Sequence, residues 1–136
     1  MKSKIILALR LIAAAILLQT LFFKFTGAPE SKYIFSVLGV EPWGRWFSGV
    51  CELIASLLLL IPATQIIGAA MALGIMLGAM ASHIAILGIV VQDDGGLLFG
   101  LALTVSACCA AILALQKDEV LSLARRGQNF IQALIK

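Results

Sequence analysis

The sequence is short of charge, cysteine, histidine and proline, and each shortage excludes something. Charged residues fill 12% of its 136 positions, about half the share of an ordinary soluble domain. So few cannot clothe a water-facing surface. Ten basic and seven acidic residues give a formal charge of +3. They form no basic stripe with reading elements, so a nucleic-acid partner is not expected. The three cysteines are Cys51 and the adjacent Cys108 and Cys109, with neither Cys-x-x-Cys nor zinc-type spacing. They read as small packing residues rather than a redox dithiol. The single histidine, His83, has no metal-site context. A glycine-rich phosphate loop and a hydrolase nucleophile elbow are also missing.

What is present is hydrocarbon: 62% of the residues are hydrophobic. A bilayer core of about 30 Å takes about 20 apolar residues as helix. Four stretches meet that need, at about 5–25, 43–61, 66–91 and 97–115. Pro62 ends the second, whose start is diluted by Gly44, Arg45 and Gly49. The expected fold is an all-α membrane protein, a four-transmembrane-helix bundle over residues 1–116 with a separate tail over 117–136. Lys2 and Lys4 before an apolar run resemble the start of a signal peptide, but Arg10 interrupts that run, so it reads as a retained first span.

Lys2, Lys4, Arg10, Lys117, Arg125, Arg126 and Lys136 lie near the termini. By the positive-inside rule both termini are expected in the cytoplasm, which for a bacterium means a multi-pass protein of the inner membrane. The first outer loop is long, and Pro29-Glu30 starts a short interfacial helix that Gly39 stops. Trp43, Trp46 and Phe47 supply an aromatic belt beside it. In the tail, Val120, Leu123, Ala124, Phe130, Ile131 and Leu134 share a helical face opposite Arg125, Arg126 and Gln128. That pattern fits an amphipathic helix on an anionic inner leaflet, or one that binds a partner. Within the third span, Ala70, Gly74, Gly78 and Ser82 recur every fourth residue. Such a column lets helices approach closely, usually as an internal seam and otherwise as a homodimer contact.

Glu52 carries the most information. It lies in the run from Phe47 to Ile61 with no basic residue close by in sequence. A carboxylate in hydrocarbon costs several kcal/mol unless it is neutralised, paired or hydrated. Counting about 1.5 Å per residue from the turn near residue 63 puts Glu52 near mid-bilayer and His83 roughly 10 Å further out. At those levels Gln19 could donate to Glu52 from slightly above, and Arg10 could reach it from below. Lys24 and Arg45 fall nearer His83, as site residues or interface anchors. Ser48, Gly49, Ala55 and Ser56 leave the Glu52 face small enough to line a cavity.

The order Leu9-Arg-Leu-Ile, Phe23-Lys-Phe-Thr-Gly27, Leu38-Gly-Val-Glu-Pro42, Gly49-Val-Cys-Glu-Leu53 and Ser82-His83 resembles the DoxX family of small four-span membrane proteins. The likeness covers about Leu9 to Gln116 and leaves the tail outside. It implies a compact four-helix bundle. It also implies association with thiosulfate:quinone oxidoreductases, with superoxide and thiol-stress complexes, or with the maturation of exported proteins. By position it carries over Arg10, Lys24, Glu52 and His83. The extra cysteine pairs of a dithiol oxidoreductase are missing here.

Three functions follow as expectations. The first is a redox-associated accessory that binds a quinone or other amphipathic molecule in a polar pocket around Glu52, with His83, Arg10, Gln19 and Lys24 as its ligand-binding or proton-relay partners. The second is an assembly factor or subunit of a membrane complex. The third is a small proton-coupled transporter, for which four spans would require a dimer.

Overall fold

The computed structural model describes residues 1–136 and is helical throughout, without strands. Helix α1 spans Lys2–Thr26, α2 Pro29–Val37, α3 Trp43–Leu60, α4 Gln65–Ser82, α5 Leu97–Leu115 and α6 Lys117–Ile135. Four segments are long and apolar enough to cross a membrane: Lys2–Thr26, Trp43–Leu60, Pro62–Leu87 and Leu97–Leu115. Helices α1 and α4 each pack on both α3 and α5, so the four spans form a square with α1 diagonal to α4. The termini and the α3–α4 turn lie at one end of the square; α2 and the 88–96 loop lie at the other.

The inside of the square is narrow. Ala13, Ala14, Ala55, Ala69 and Ala72 are essentially inaccessible, with Leu17, Leu59, Val105 and Ile112 filling the space between them. The large apolar side chains Leu11, Phe22, Ile54, Ile67, Leu77 and Leu103 point outwards. Between helices in lipid there is little hydrophobic gain, so close backbone approach by small residues takes over. A soluble monomer rarely leaves so much contiguous apolar surface uncovered. The chain is a multi-pass integral membrane protein with a lipid-facing exterior.

Each boundary has a local cause. Gly27, at φ 68°, ends α1 in the left-handed region, where its amide bonds back to the Phe23 carbonyl. Pro29 opens α2, and Gly39 (φ 75°) turns the chain after it. Pro62 ends α3, and a single 3₁₀ turn over Pro62–Thr64 reverses the chain into α4. The third span departs from the sequence expectation at its far end. It passes into a π-helical turn over His83–Leu87 and stops at Gly88 (φ 80°), short of the expected residue 91. The span at 97–115 falls as expected.

The small-residue column does not form the internal seam expected of it. Ala70, Gly74 and Gly78 are exposed, and a methyl group added at Gly74 or Gly78 would meet nothing within 4 Å. The close approach of α4 to α3 lies at Gly68, where an added Cβ would stand 2.5 Å from the Leu59 nitrogen.

Candidate functional site

Arg10, Leu17 and Lys24 are seven residues apart, so at 3.6 residues per turn they return to the same face of α1. Arg10 and Leu17 are buried, and Lys24 is half-buried. That face meets α3, where Gly49, Glu52, Ser56 and Leu59 form the matching buried stripe. The polar groups of the α1–α3 seam therefore meet one another and not lipid.

Two polar groups of α1 converge on the Glu52 carboxylate. Lys24 Nζ pairs with Oε1, and Thr20 Oγ1 lies 3.1 Å from Oε2. The same Thr20 hydroxyl lies 2.8 Å from the Leu17 carbonyl, and its one proton can serve only one acceptor at a time. The Glu52 side chain is 4% exposed and that of Lys24 is 16% exposed. An ammonium has three N–H donors, and a single acceptor, Glu52, contacts this one.

The surroundings of Glu52 are packed tightly and do not line the cavity that its small neighbours led us to expect. Ala55 and Ser56 are fully buried, and Ser56 Oγ donates to the Glu52 carbonyl at 2.7 Å. A Cβ on Gly49 would stand 3.0 Å from the Phe25 ring. Lys24 is the more exposed member of the pair and lies towards the α2 end.

That end carries a second cluster. Arg45 Nη1 donates to the Lys24 carbonyl, while Nε and Nη2 hold the Glu41 carboxylate at 2.7–3.0 Å. Ala28 N bonds to the Phe23 carbonyl, so Arg45 satisfies a carbonyl that the helix end leaves free. The Arg45 hydrogen bonds hold the Glu41 carboxyl below its ordinary value against the opposing effect of desolvation, with the charges of Arg45 and Lys32 adding attraction.

The other expected site residues go elsewhere. Gln19 is exposed on the outer surface of α1; it lies about 200° round the helix from Leu17 and so points away from α3. Thr20 occupies the place expected for it, and its hydroxyl escaped the sequence reading altogether. Arg10 does not reach Glu52. Its Nε and Nη2 donate to the carbonyls of Leu59 and Leu60 at 2.6 and 2.7 Å, the last carbonyls of α3, which the end of the helix before Pro62 leaves without helical donors. Buried His83 has Nδ1 2.8 Å from the Gly88 carbonyl and its ring edge-on to Phe99, with centroids 5.7 Å apart. Asp94 accepts from the amides of Val91, Gly96 and Leu98 at 2.8–3.1 Å. Burial pushes its carboxyl up, but those three amides outweigh burial and hold it below the ordinary 3.8.

The fold and this seam define a four-span helical membrane protein with a buried, threonine-flanked lysine–glutamate pair. A family model described as the DoxX-like family matches residues 8–115, and the chain belongs to that family. The match begins within α1, takes in the other three spans and ends before α6. No curated protein and no solved structure matches the chain.

Proposed function

We propose that this DoxX-like membrane protein is a redox-associated accessory that holds the polar head of a quinone or similar amphipathic molecule against Lys24 and Glu52. One observation carries the reading: in the apolar seam between α1 and α3, the partly exposed Lys24 ammonium has a single acceptor, Glu52, and so keeps unspent donors. A quinone-class head offers carbonyl oxygens, which accept from an ammonium, and its apolar body suits the lipid-facing surface around the exposed Phe25. Lys24 binds and orients the head. Glu52 balances the lysine charge and accepts or returns a proton, and Thr20 keeps its second oxygen hydrogen-bonded. In this reading the protein lies in a bacterial inner membrane with both termini in the cytoplasm.

The test is mass spectrometry of a solvent extract from gently purified protein, with Glu52→Gln and Lys24→Met beside the wild type. A stoichiometric amphiphile lost from both folded variants is expected. An extract without one, or one unchanged by either substitution, would overturn the reading.

A second reading, a subunit or assembly factor of a membrane complex, is favoured by the outward face of Gly74 and Gly78. Under it, Gly78→Leu would release a co-purifying membrane partner while Glu52→Gln would not.

A further inference from the structure

Helix α6 is the one long helix that the bundle does not cover. Every side chain from Leu121 to Lys136 is exposed, and α5 is the neighbour it contacts most closely. Yet its sequence has two faces. At 100° per residue, Val120, Leu123, Phe130, Ile131 and Leu134 fall within one apolar arc, and Ser122, Arg125, Asn129 and Gln132 fall opposite. Beyond Glu119 the helix carries Arg125, Arg126 and Lys136 and no acid.

The position of α6 matters as much as its pattern. A single residue, Gln116, separates it from the membrane-spanning α5. There the backbone leaves the helical region (φ −114°, ψ 27°), and the Gln116 side-chain amide donates to Glu119 at 3.2 Å. Asp118, Glu119, Leu123 and Arg126 then line a cleft of about 380 Å³ with Pro62 of the α3–α4 turn and Ile66 at the start of α4. A helix continuing straight out along α5 would carry Arg126 about 15 Å beyond Gln116. The shared cleft instead keeps the first half of α6 beside the turn that closes α3 onto α4. The helix thus starts at the depth where hydrocarbon gives way to headgroups.

We infer that α6 is an anionic-lipid-binding helix, its Phe130 face in the acyl boundary of the leaflet next to the termini and Arg125 and Arg126 on lipid phosphates. Three features point there together: tethering at the membrane boundary, an uncovered apolar arc, and a polar face whose only charges beyond Glu119 are cationic. Apolar burial alone would bind any bilayer. The arginines add a preference for negative headgroups, each contributing about fivefold to binding at the surface. The arrangement lies outside the family match and does not depend on the Lys24–Glu52 reading.

The test is hydrogen–deuterium exchange of residues 117–136 in the full-length protein, one copy per nanodisc. Discs of phosphatidylcholine alone are compared with discs that also contain phosphatidylglycerol. Slower exchange across residues 120–134 in the anionic discs is expected, by roughly 25-fold for two arginines. Arg125→Glu/Arg126→Glu should abolish that difference, and Arg125→Lys/Arg126→Lys should retain most of it. Phe130→Ser/Leu134→Ser should remove protection in both lipids. Equal protection in both lipids would overturn the inference, as would free exchange in both. Protection that persists in detergent and follows the number of copies per micelle would also overturn it and assign the face to a second copy. Exchange in α1 and α3 reports in the same experiment that each variant is folded.

Discussion

Lys24 Nζ of α1 pairs with the Glu52 carboxylate of α3 inside the membrane-spanning region, with the Thr20 hydroxyl on the remaining oxygen. Each of these charges would be costly there alone. Together they tie two spans along a seam that Arg10 clasps at its other end.

The pair should behave asymmetrically under mutation. Replacing one member strands the other, at a cost of about 3–5 kcal/mol for a buried pair, whereas replacing both with apolar residues is close to neutral. Lys24→Met and Glu52→Leu should each lower stability, and the double variant should recover most of the loss. Denaturant titration in mixed micelles reads all three. Simple addition of the two losses would show that the charges do not interact energetically.

Arg10 predicts a different pattern. Arg10→Met leaves the Leu59 and Leu60 carbonyls without donors, and hydrogen bonds to a charged group contribute about 1.5–3 kcal/mol each. Stability should fall by about 3 kcal/mol or more, with Arg10→Lys intermediate because one ammonium cannot reproduce the guanidinium fork. The amphiphile recovered per folded molecule should be unchanged. Its loss in folded Arg10→Met would place Arg10 in the binding site.

Gly68 and Gly78 give a contrast within one helix. Gly68→Ala drives a methyl group into the α3 backbone, and overpacking of this kind costs about 1–3 kcal/mol. Gly78→Ala meets open space and should leave the unfolding midpoint unmoved. The same titration distinguishes the two sites, and equal effects would contradict the packing described.

Asp94 sets an acid limit. Its folded carboxyl titrates below the ordinary 3.8, so its contribution is fully present above that value and is lost as pH falls through the folded pKa. Asp94→Ala should cost about 1 kcal/mol at neutral pH, the usual loss when a group that caps helix-end amides is removed. Its stability curve should converge on the wild type once pH has fallen below the folded pKa, where the wild-type carboxyl is protonated as well. Unfolding midpoints measured across the acid range provide the check.

Most of the fold was legible because the spans are long and proline and glycine mark their ends. Pro62 and Gly39 stop helices where the pattern says they should, while the third span ends at Leu87, four residues short of the expected 91. The site was legible in part. Counting residues gives depth but not the direction round a helix, which is why Gln19 looked close to Glu52 although Thr20 is the residue that faces it. The spacing of Arg10, Leu17 and Lys24 held the missing direction. Arg10 was misplaced for a related reason: its partners are main-chain carbonyls, which leave no side-chain signature apart from Pro62 nearby. The Gly74–Gly78 column misled because α4 is apolar on every side, so small size alone did not say which face turned inwards.

The clasp between Arg10 and the end of α3 bears on how the protein is made. Arg10 and Lys24 are about 21 Å apart along α1, and both of their partners belong to a span that leaves the ribosome later. Until α3 arrives, the newly inserted first helix holds two cations with no counterpart, drawn towards opposite surfaces of the bilayer. Closure of the α1–α3 seam neutralises one and caps a helix with the other, and it fixes the two spans against sliding at both ends. The order of synthesis would then set an order of assembly, with the first pair latched before α4 and α5 complete the square.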